Sequence, residues 1–130
     1  MNFNWETLLD LAQELFEAAE TESGQKREAL LRTATSRAYY AAFGASVVWL
    51  REHYPTHPLP GHGEIHKATS DFFLFHPEPA GRAIGELLRD LRLARNRADY
   101  RTRIPDSKGL AERNLFDANR ALNALGSLEI

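Results

Sequence analysis

Five alanines constrain the fold of this chain most, because they recur at steps of three and four residues along one predicted helix. We expect that helix to run from about Gln25 to about His53. Its alanines give it one side of small residues, which another helix can approach closely: Ala34, Ala38, Ala41, Ala42 and Ala45. Prolines and glycines between residues 54 and 63 then predict a loop.

The rest of the chain also predicts helices separated by short breaks. Their expected limits are Asn4 to about Ser23, about Gly63 to Phe75, Pro79 to about Tyr100, and Ser107 onward. Asn4 and Ser107 are the predicted N-caps, and Pro79 suits a first helical position. No useful stretch alternates apolar and polar residues as a strand would. We therefore expect an all-α fold, an antiparallel bundle of four main helices plus a short one.

Length and composition fit one ordinary globular domain, spanning residues 1–130. The chain has 130 residues, which lies within the usual size of one domain. It has no cysteine, which excludes disulfides and thiolate metal sites and fits a cytoplasmic protein. The sequence shows neither a signal-peptide pattern nor an apolar run long enough for a membrane span. A net charge of −2 gives no general argument for nucleic-acid binding.

The charge is nevertheless unevenly distributed. Residues 1–22 carry six acidic side chains and no Lys or Arg, whereas residues 89–103 carry six arginines against two aspartates. One interpretation is an anion-binding patch on the fourth helix. The other is an acidic helix that packs beside a basic helix.

Arg95 is the most informative residue of the basic segment. On a helical wheel it falls within the apolar stripe formed by Ile84, Leu88 and Leu91. A buried guanidinium needs a partner, and Asp99 lies one turn later. Two interpretations remain open: a structural ion pair that fixes helix packing, or an arginine that lines a cleft and binds phosphate.

Two motifs at these positions resemble the HEPN-domain family. They are Ser36-Arg37-Ala38-Tyr39-Tyr40-Ala41-Ala42-Phe43, similar to S-x-A-Y-Y-A-x-F, and Leu91-Arg92-Leu93-Ala94-Arg95-Asn96-Arg97-Ala98-Asp99-Tyr100, similar to an R-x-x-A-D-Y variant in a small branch. The resemblance covers nearly the whole chain. It implies a helical bundle that commonly dimerises and is often encoded beside a minimal nucleotidyltransferase or in toxin–antitoxin and other conflict systems. It also implies metal-independent ribonuclease activity, as in many members.

The chain departs from the ribonuclease motif in one respect. Arg95-Asn96 matches the start of that motif, but Asp99-Tyr100 stands where its histidine would follow, and no histidine occurs after His76. RNA cleavage requires a base for the ribose 2′-hydroxyl and an acid for the leaving oxygen. An ionised Asp99 beside Arg95 is a weak base. Whether the protein is an enzyme stays open at this stage.

Two functions therefore remain. The first is a homodimeric HEPN component of a prokaryotic toxin–antitoxin-like or conflict system that binds or cleaves RNA, with the two Arg95 side chains placed at a shared cleft. The second is a non-catalytic module that binds a nucleotide or a protein, as an antitoxin or a partner of a nucleotidyltransferase. No cofactor and no membrane is expected in either case.

The site residues follow from the motifs. The predicted catalytic residues are Arg95, Asn96, Asp99 and Tyr100. Arg95 would contact phosphate, Asn96 would orient the phosphate or a base, and Asp99 is the partner of Arg95. Tyr100 would stack, form a hydrogen bond or accept a nucleotide on its hydroxyl. The predicted RNA- or nucleotide-binding residues are Arg37, Tyr40, Arg92 and Arg97. His62 and His66 have zinc-ligand spacing but no third ligand, so no metal site is expected. Leu93 points away from the core stripe and is the predicted interface contact.

Overall fold

The computed structural model describes residues 2–128, which form five α-helices and one short 3₁₀ turn and contain no strand. The helices are α1 (Glu6–Ala18), α2 (Gly24–His53), α3 (Glu64–Leu74), α4 (Pro79–Tyr100) and α5 (Ser107–Ser127). The 3₁₀ turn, Ala19–Thr21, follows α1 directly. The predicted all-α class is confirmed, and the predicted helix limits agree closely with the observed ones.

Helix α2 is the centre of the bundle. It packs against α1, α4 and α5, whereas α3 packs mainly against α4. The predicted small face explains this position, because Ala34, Ala38, Ala41 and Ala42 have no exposed surface and Ala45 is half-buried. Their short side chains let neighbouring helices lie close to the α2 backbone.

Charge does not decide which helices are neighbours. Within residues 2–128, acidic α1 makes no contact with α4, since α2 and α5 are the α-helices that it touches. The interpretation that an acidic helix packs beside the arginine-rich helix is therefore wrong. The arginines of α4 must therefore find their partners on α2, α3 or α5, on their own helix, in the adjoining loops or in solvent.

The helix starts follow the predicted caps in part. The N-cap position of α1 is Trp5, one residue after the predicted Asn4, although Asn4 Oδ1 accepts a hydrogen bond from the Glu6 amide at 3.0 Å. Pro79 is the first residue of α4, as predicted. The prediction of Ser107 as the cap of α5 is wrong. Asp106 has that role, with its Oδ1 accepting from the Gly109 amide at 2.9 Å, and Ser107 lies inside the helix.

One buried polar side chain ties three helices together. Asn114 on α5 is 2% exposed, and its Nδ2 donates to the Thr35 carbonyl of α2 at 2.9 Å and to the Leu91 carbonyl of α4 at 3.4 Å. A buried amide must keep its partners, so this contact fixes how α4 and α5 sit against α2.

None of the helices between residues 2 and 128 combines the length and the apolar character that crossing a membrane requires.

Replacing Asn114 by Ala should lower the free energy of unfolding by about 2 kcal/mol, because the change removes two buried hydrogen bonds and leaves a small void. Urea unfolding followed by circular dichroism measures the loss. The matched control is Asn119→Ala on the same helix, where the side chain is exposed and bonds only the Leu115 carbonyl one turn back. Equal effects of the two substitutions would contradict the bridging role.

Candidate functional site

Helices α2, α3 and α4 bring a group of polar and aromatic side chains together. We call this group the arginine cluster, and its members are Ser36, Arg37, Tyr39 and Tyr40 of α2, His66 of α3, and Arg92, Arg95 and Asp99 of α4. Residues of both sequence motifs therefore lie in the arginine cluster. A groove of about 450 Å³ between α2 and α4 opens beside Ser36, Arg37, Tyr40 and Asp99.

Arg95 lies at the centre of the cluster. It is only 8% exposed, as its position on the apolar stripe predicted. Its guanidinium carbon lies 5.6 Å from the centre of the Tyr39 ring and 5.2 Å from that of Tyr40. These distances allow a favourable interaction between the cation and the ring faces. Arg95 Nε is buried and has no hydrogen-bond partner among residues 2–128.

The predicted ion pair between Arg95 and Asp99 is present but loose. Arg95 Nη1 and Asp99 Oδ2 are 3.7 Å apart, beyond hydrogen-bond distance. The same carboxylate oxygen accepts a hydrogen bond from Ser36 Oγ at 3.5 Å, and the Asp99 side chain is 31% exposed. Asp99 therefore attracts Arg95 without occupying its donors, which leaves them able to bind a second anion.

The cluster carries more positive than negative charge. Arg92 is half-buried, and its Nε is buried with no partner in the described part of the chain. Arg37 is exposed, with its guanidinium carbon 5.9 Å from the centre of the Tyr40 ring. Three arginines thus lie near one carboxylate. Burial weakens screening by solvent for Arg92 and Arg95, whereas Arg37 is screened as a surface charge.

His66 joins the cluster from α3, and sequence reasoning missed it. Its Nδ1 and the Tyr39 hydroxyl are 2.5 Å apart, and its ring stacks on Phe43 with centroids 4.3 Å apart. Burial lowers the pKa of His66, and the charges of Arg92 and Arg95 lower it further. Burial also raises the pKa of the Tyr39 hydroxyl, so that group stays protonated.

No signal in the sequence alone points to this contact. In the sequence, His66 is distinguished only by its spacing from His62, which is typical of zinc ligands. In the described ranges, no group of three or more His, Cys, Asp or Glu side chains could hold a metal ion.

The remaining predicted site residues are placed differently. Asn96 is half-buried and follows Arg95 directly in the sequence. It lies one turn after Arg92, on the same face of α4. Tyr100, the last residue of α4, is 76% exposed. Arg97 lines a separate groove between α4 and α5, together with Leu93. The structure therefore does not bring Arg97 to the arginine cluster.

Arg32 of α2 holds the end of α4, where Asp99 and Tyr100 lie. Its guanidinium donates to the carbonyls of Ala98, Arg101 and Thr102, and it pairs with Glu28 at 2.6 Å. A cation at the carboxyl end of a helix also interacts favourably with the helix dipole. A hydrogen bond from Ser107 Oγ to Glu28, together with Arg32, lowers the pKa of that carboxyl.

Comparison of the chain with protein-family models, with curated proteins and with solved structures finds no match. The resemblance to HEPN domains therefore rests on the two motifs and on the spacing of the predicted helices and breaks along the sequence.

Acid should destabilise the protein partly through His66. Because its pKa is lower in the folded state than the ordinary value of 6.5, the unfolded chain binds more protons as the pH falls through that value. Urea unfolding at pH 7.5 and 5.5 should show a larger loss of stability for the wild type than for His66→Gln. A His57→Gln control, at an exposed position in the loop before α3, should behave as the wild type does. Equal losses for wild type and His66→Gln would contradict this assignment.

Proposed function

We propose that this protein is a HEPN-like antiparallel bundle that binds RNA through the arginine cluster, as a homodimeric component of a prokaryotic toxin–antitoxin-like or conflict system. One observation carries the proposal: Arg95 is buried, yet its carboxylate partner lies 3.7 Å away and its Nε has no partner within residues 2–128. Such an incompletely paired guanidinium is suited to a phosphate oxygen.

The shape of the groove supports a single-stranded nucleic acid as the ligand. The groove lies open between α2 and α4, and the exposed Arg37 and half-buried Tyr40 form part of its wall. Single-stranded RNA is bound by basic grooves that also offer aromatic rings for stacking. Arg95 and Arg92 would contact the phosphate, and Arg37 would contact the backbone beside it. The exposed ring of Tyr100 would stack on a base, and Asn96 would orient the phosphate or a base.

The alternative function is a non-catalytic module that mates with a protein or holds a nucleotide. It is supported by two exposed apolar residues away from the cluster, Leu93 on α4 and Phe116 on α5, which are 58% and 60% exposed. Leu93 lines the groove of about 240 Å³ between these helices. The exposed hydroxyl of Tyr100 would suit a nucleotide acceptor if the partner is a nucleotidyltransferase.

A dimer through Leu93 would leave the arginine cluster open. Leu93 and Arg95 lie two residues apart on α4, so their side chains project about 160° apart around its axis. Such a dimer does not place two Arg95 side chains in one shared cleft. We therefore propose that each chain carries its own complete cluster.

Arg95→Ala should weaken binding of single-stranded RNA and reduce any cleavage of total cellular RNA in the presence of EDTA, because the central phosphate donor is lost. The loss of affinity should be at least about tenfold, the usual cost of removing one charged hydrogen-bond partner. Arg51→Ala is the matched control, since Arg51 is exposed on α2 about 21 Å along the helix from Arg37.

The melting temperatures of Arg95→Ala and Arg51→Ala show whether a loss of RNA binding is caused by unfolding. A folded Arg95→Ala protein that still binds RNA as the wild type does would contradict the proposal. Loss of the fold or of the dimer in Arg95→Ala, with no RNA binding by the wild type, would favour the alternative.

Leu93→Glu should convert the dimer to a monomer, because it places a charge in the predicted apolar interface. Phe75→Glu, at an 84%-exposed position after α3, is the control and should leave the dimer intact. Light scattering on a sizing column measures the mass of each variant. The RNA affinity of the Leu93→Glu monomer should equal that of the wild type. Unchanged mass in Leu93→Glu would show that this face is not the interface.

A further inference from the structure

A histidine is missing from the expected place on α4, but α3 brings one to the same cluster. The imidazole of His66 and the guanidinium carbon of Arg95 lie near the same two phenol rings. Each is 5.6 Å from the centre of the Tyr39 ring, and they are 6.1 and 5.2 Å from the centre of the Tyr40 ring. A ribose and its adjacent phosphate are large enough to contact both groups. The cluster thus combines a phosphate-binding cation with a titratable imidazole.

Three contacts fix the ring of His66. It stacks on Phe43, it meets Tyr40 edge-on with centroids 6.1 Å apart, and its Nδ1 is bonded to the Tyr39 hydroxyl. The other nitrogen, Nε2, makes no hydrogen bond with residues 2–128, and it is not among their fully buried atoms. One nitrogen therefore anchors the ring while the other is free to meet a ligand.

The protonation state of the His66 imidazole suits the role of a general base. Burial and the nearby charges of Arg92 and Arg95 lower the pKa of His66, so the imidazole is neutral at pH 7. When Nδ1–H donates to Tyr39 Oη, Nε2 carries the free lone pair. Tyr39 would then act as a positioning residue, in the way that the partner of the second nitrogen orients a catalytic histidine.

We infer that the arginine cluster cleaves RNA, with His66 Nε2 as the general base; this inference rests on the proposed function. Nε2 accepts the proton of a ribose 2′-hydroxyl, and the 2′-oxygen forms a bond to the adjacent phosphorus. The bond between phosphorus and the 5′-oxygen breaks, and that oxygen takes a proton from water. The products are a 2′,3′-cyclic phosphate and a 5′-hydroxyl, and the protonated His66 returns its proton to solvent.

Arg95 has a separate part in this reaction. It holds the non-bridging phosphate oxygens, where negative charge increases in the transition state. Asp99, already attracted to Arg95, takes no proton in this scheme. Binding therefore depends on the arginines and proton transfer depends on His66, so substitutions can separate the two.

The test compares His66→Gln with the wild type and with a His57→Gln control. Cleavage of a short single-stranded RNA is measured under single-turnover conditions, and binding is measured with the same oligonucleotide carrying 2′-deoxyriboses. His66→Gln should slow cleavage by about 100-fold or more while leaving the affinity unchanged. His57→Gln should match the wild type in both measurements.

Two further variants test whether slower cleavage in His66→Gln comes from the loss of the base or from a change in structure. Imidazole in solution should restore cleavage to a folded His66→Ala protein, because the space vacated beside Phe43 and Tyr39 can accept it. Tyr39→Phe should slow cleavage and change its dependence on pH, because the ring loses its anchor. A folded His66→Ala protein that imidazole does not rescue would count against the assignment.

The outcomes distinguish this inference from the proposed function. Wild-type cleavage rates in His66→Gln would overturn the role of His66 and leave RNA binding standing. A wild type that binds the RNA without cleaving it would have the same consequence. A wild type that neither binds nor cleaves RNA would overturn the proposed function, and the inference with it.

Discussion

The close packing around the alanine face of α2 is the constraint on which the rest of this structure depends. With no side chain longer than a methyl group at these positions, α2 can lie in the middle of the bundle and touch three other long helices. That placement also brings Tyr39 and Tyr40, on the same helix, against α4. The site is therefore a consequence of the same packing that forms the core.

Burying Arg95 in such a core lowers the stability of the folded state. Removing a guanidinium from water costs several kcal/mol, whereas stacking on an aromatic ring returns about 1 kcal/mol per contact. The ion pair with Asp99 does not offset the remaining desolvation free energy, because the two groups are too far apart for a hydrogen bond. A residue kept for packing alone would be replaced by an apolar side chain of similar size without loss. This cost is the reason that we propose an anionic ligand for Arg95.

Sequence periodicity predicted the fold and part of the site. The alanine steps, the prolines and the position of Arg95 on the apolar stripe are local properties, and a helical wheel recovers them. His66 could not be found in this way, because its contact with Tyr39 joins residues 27 positions apart through the packing of separate helices. Ser107 and Asp106 are both good caps, so composition could not choose between them. Which helices pack against α1 depends on the topology of the bundle, and the charge of α1 does not predict it.

The central claim is that RNA phosphate binds where α2, α3 and α4 meet, and NMR can locate the binding site directly. Titration of ¹⁵N-labelled protein with a short single-stranded RNA should shift amide resonances around residues 36–40, 66 and 92–99. It should also shift the side-chain Nε–H resonances of Arg92 and Arg95. Amides on the α5 side of the groove between α4 and α5, such as those of Leu110 and Arg113, should not shift. Shifts confined to the α4–α5 groove, or no shifts at all, would contradict the account.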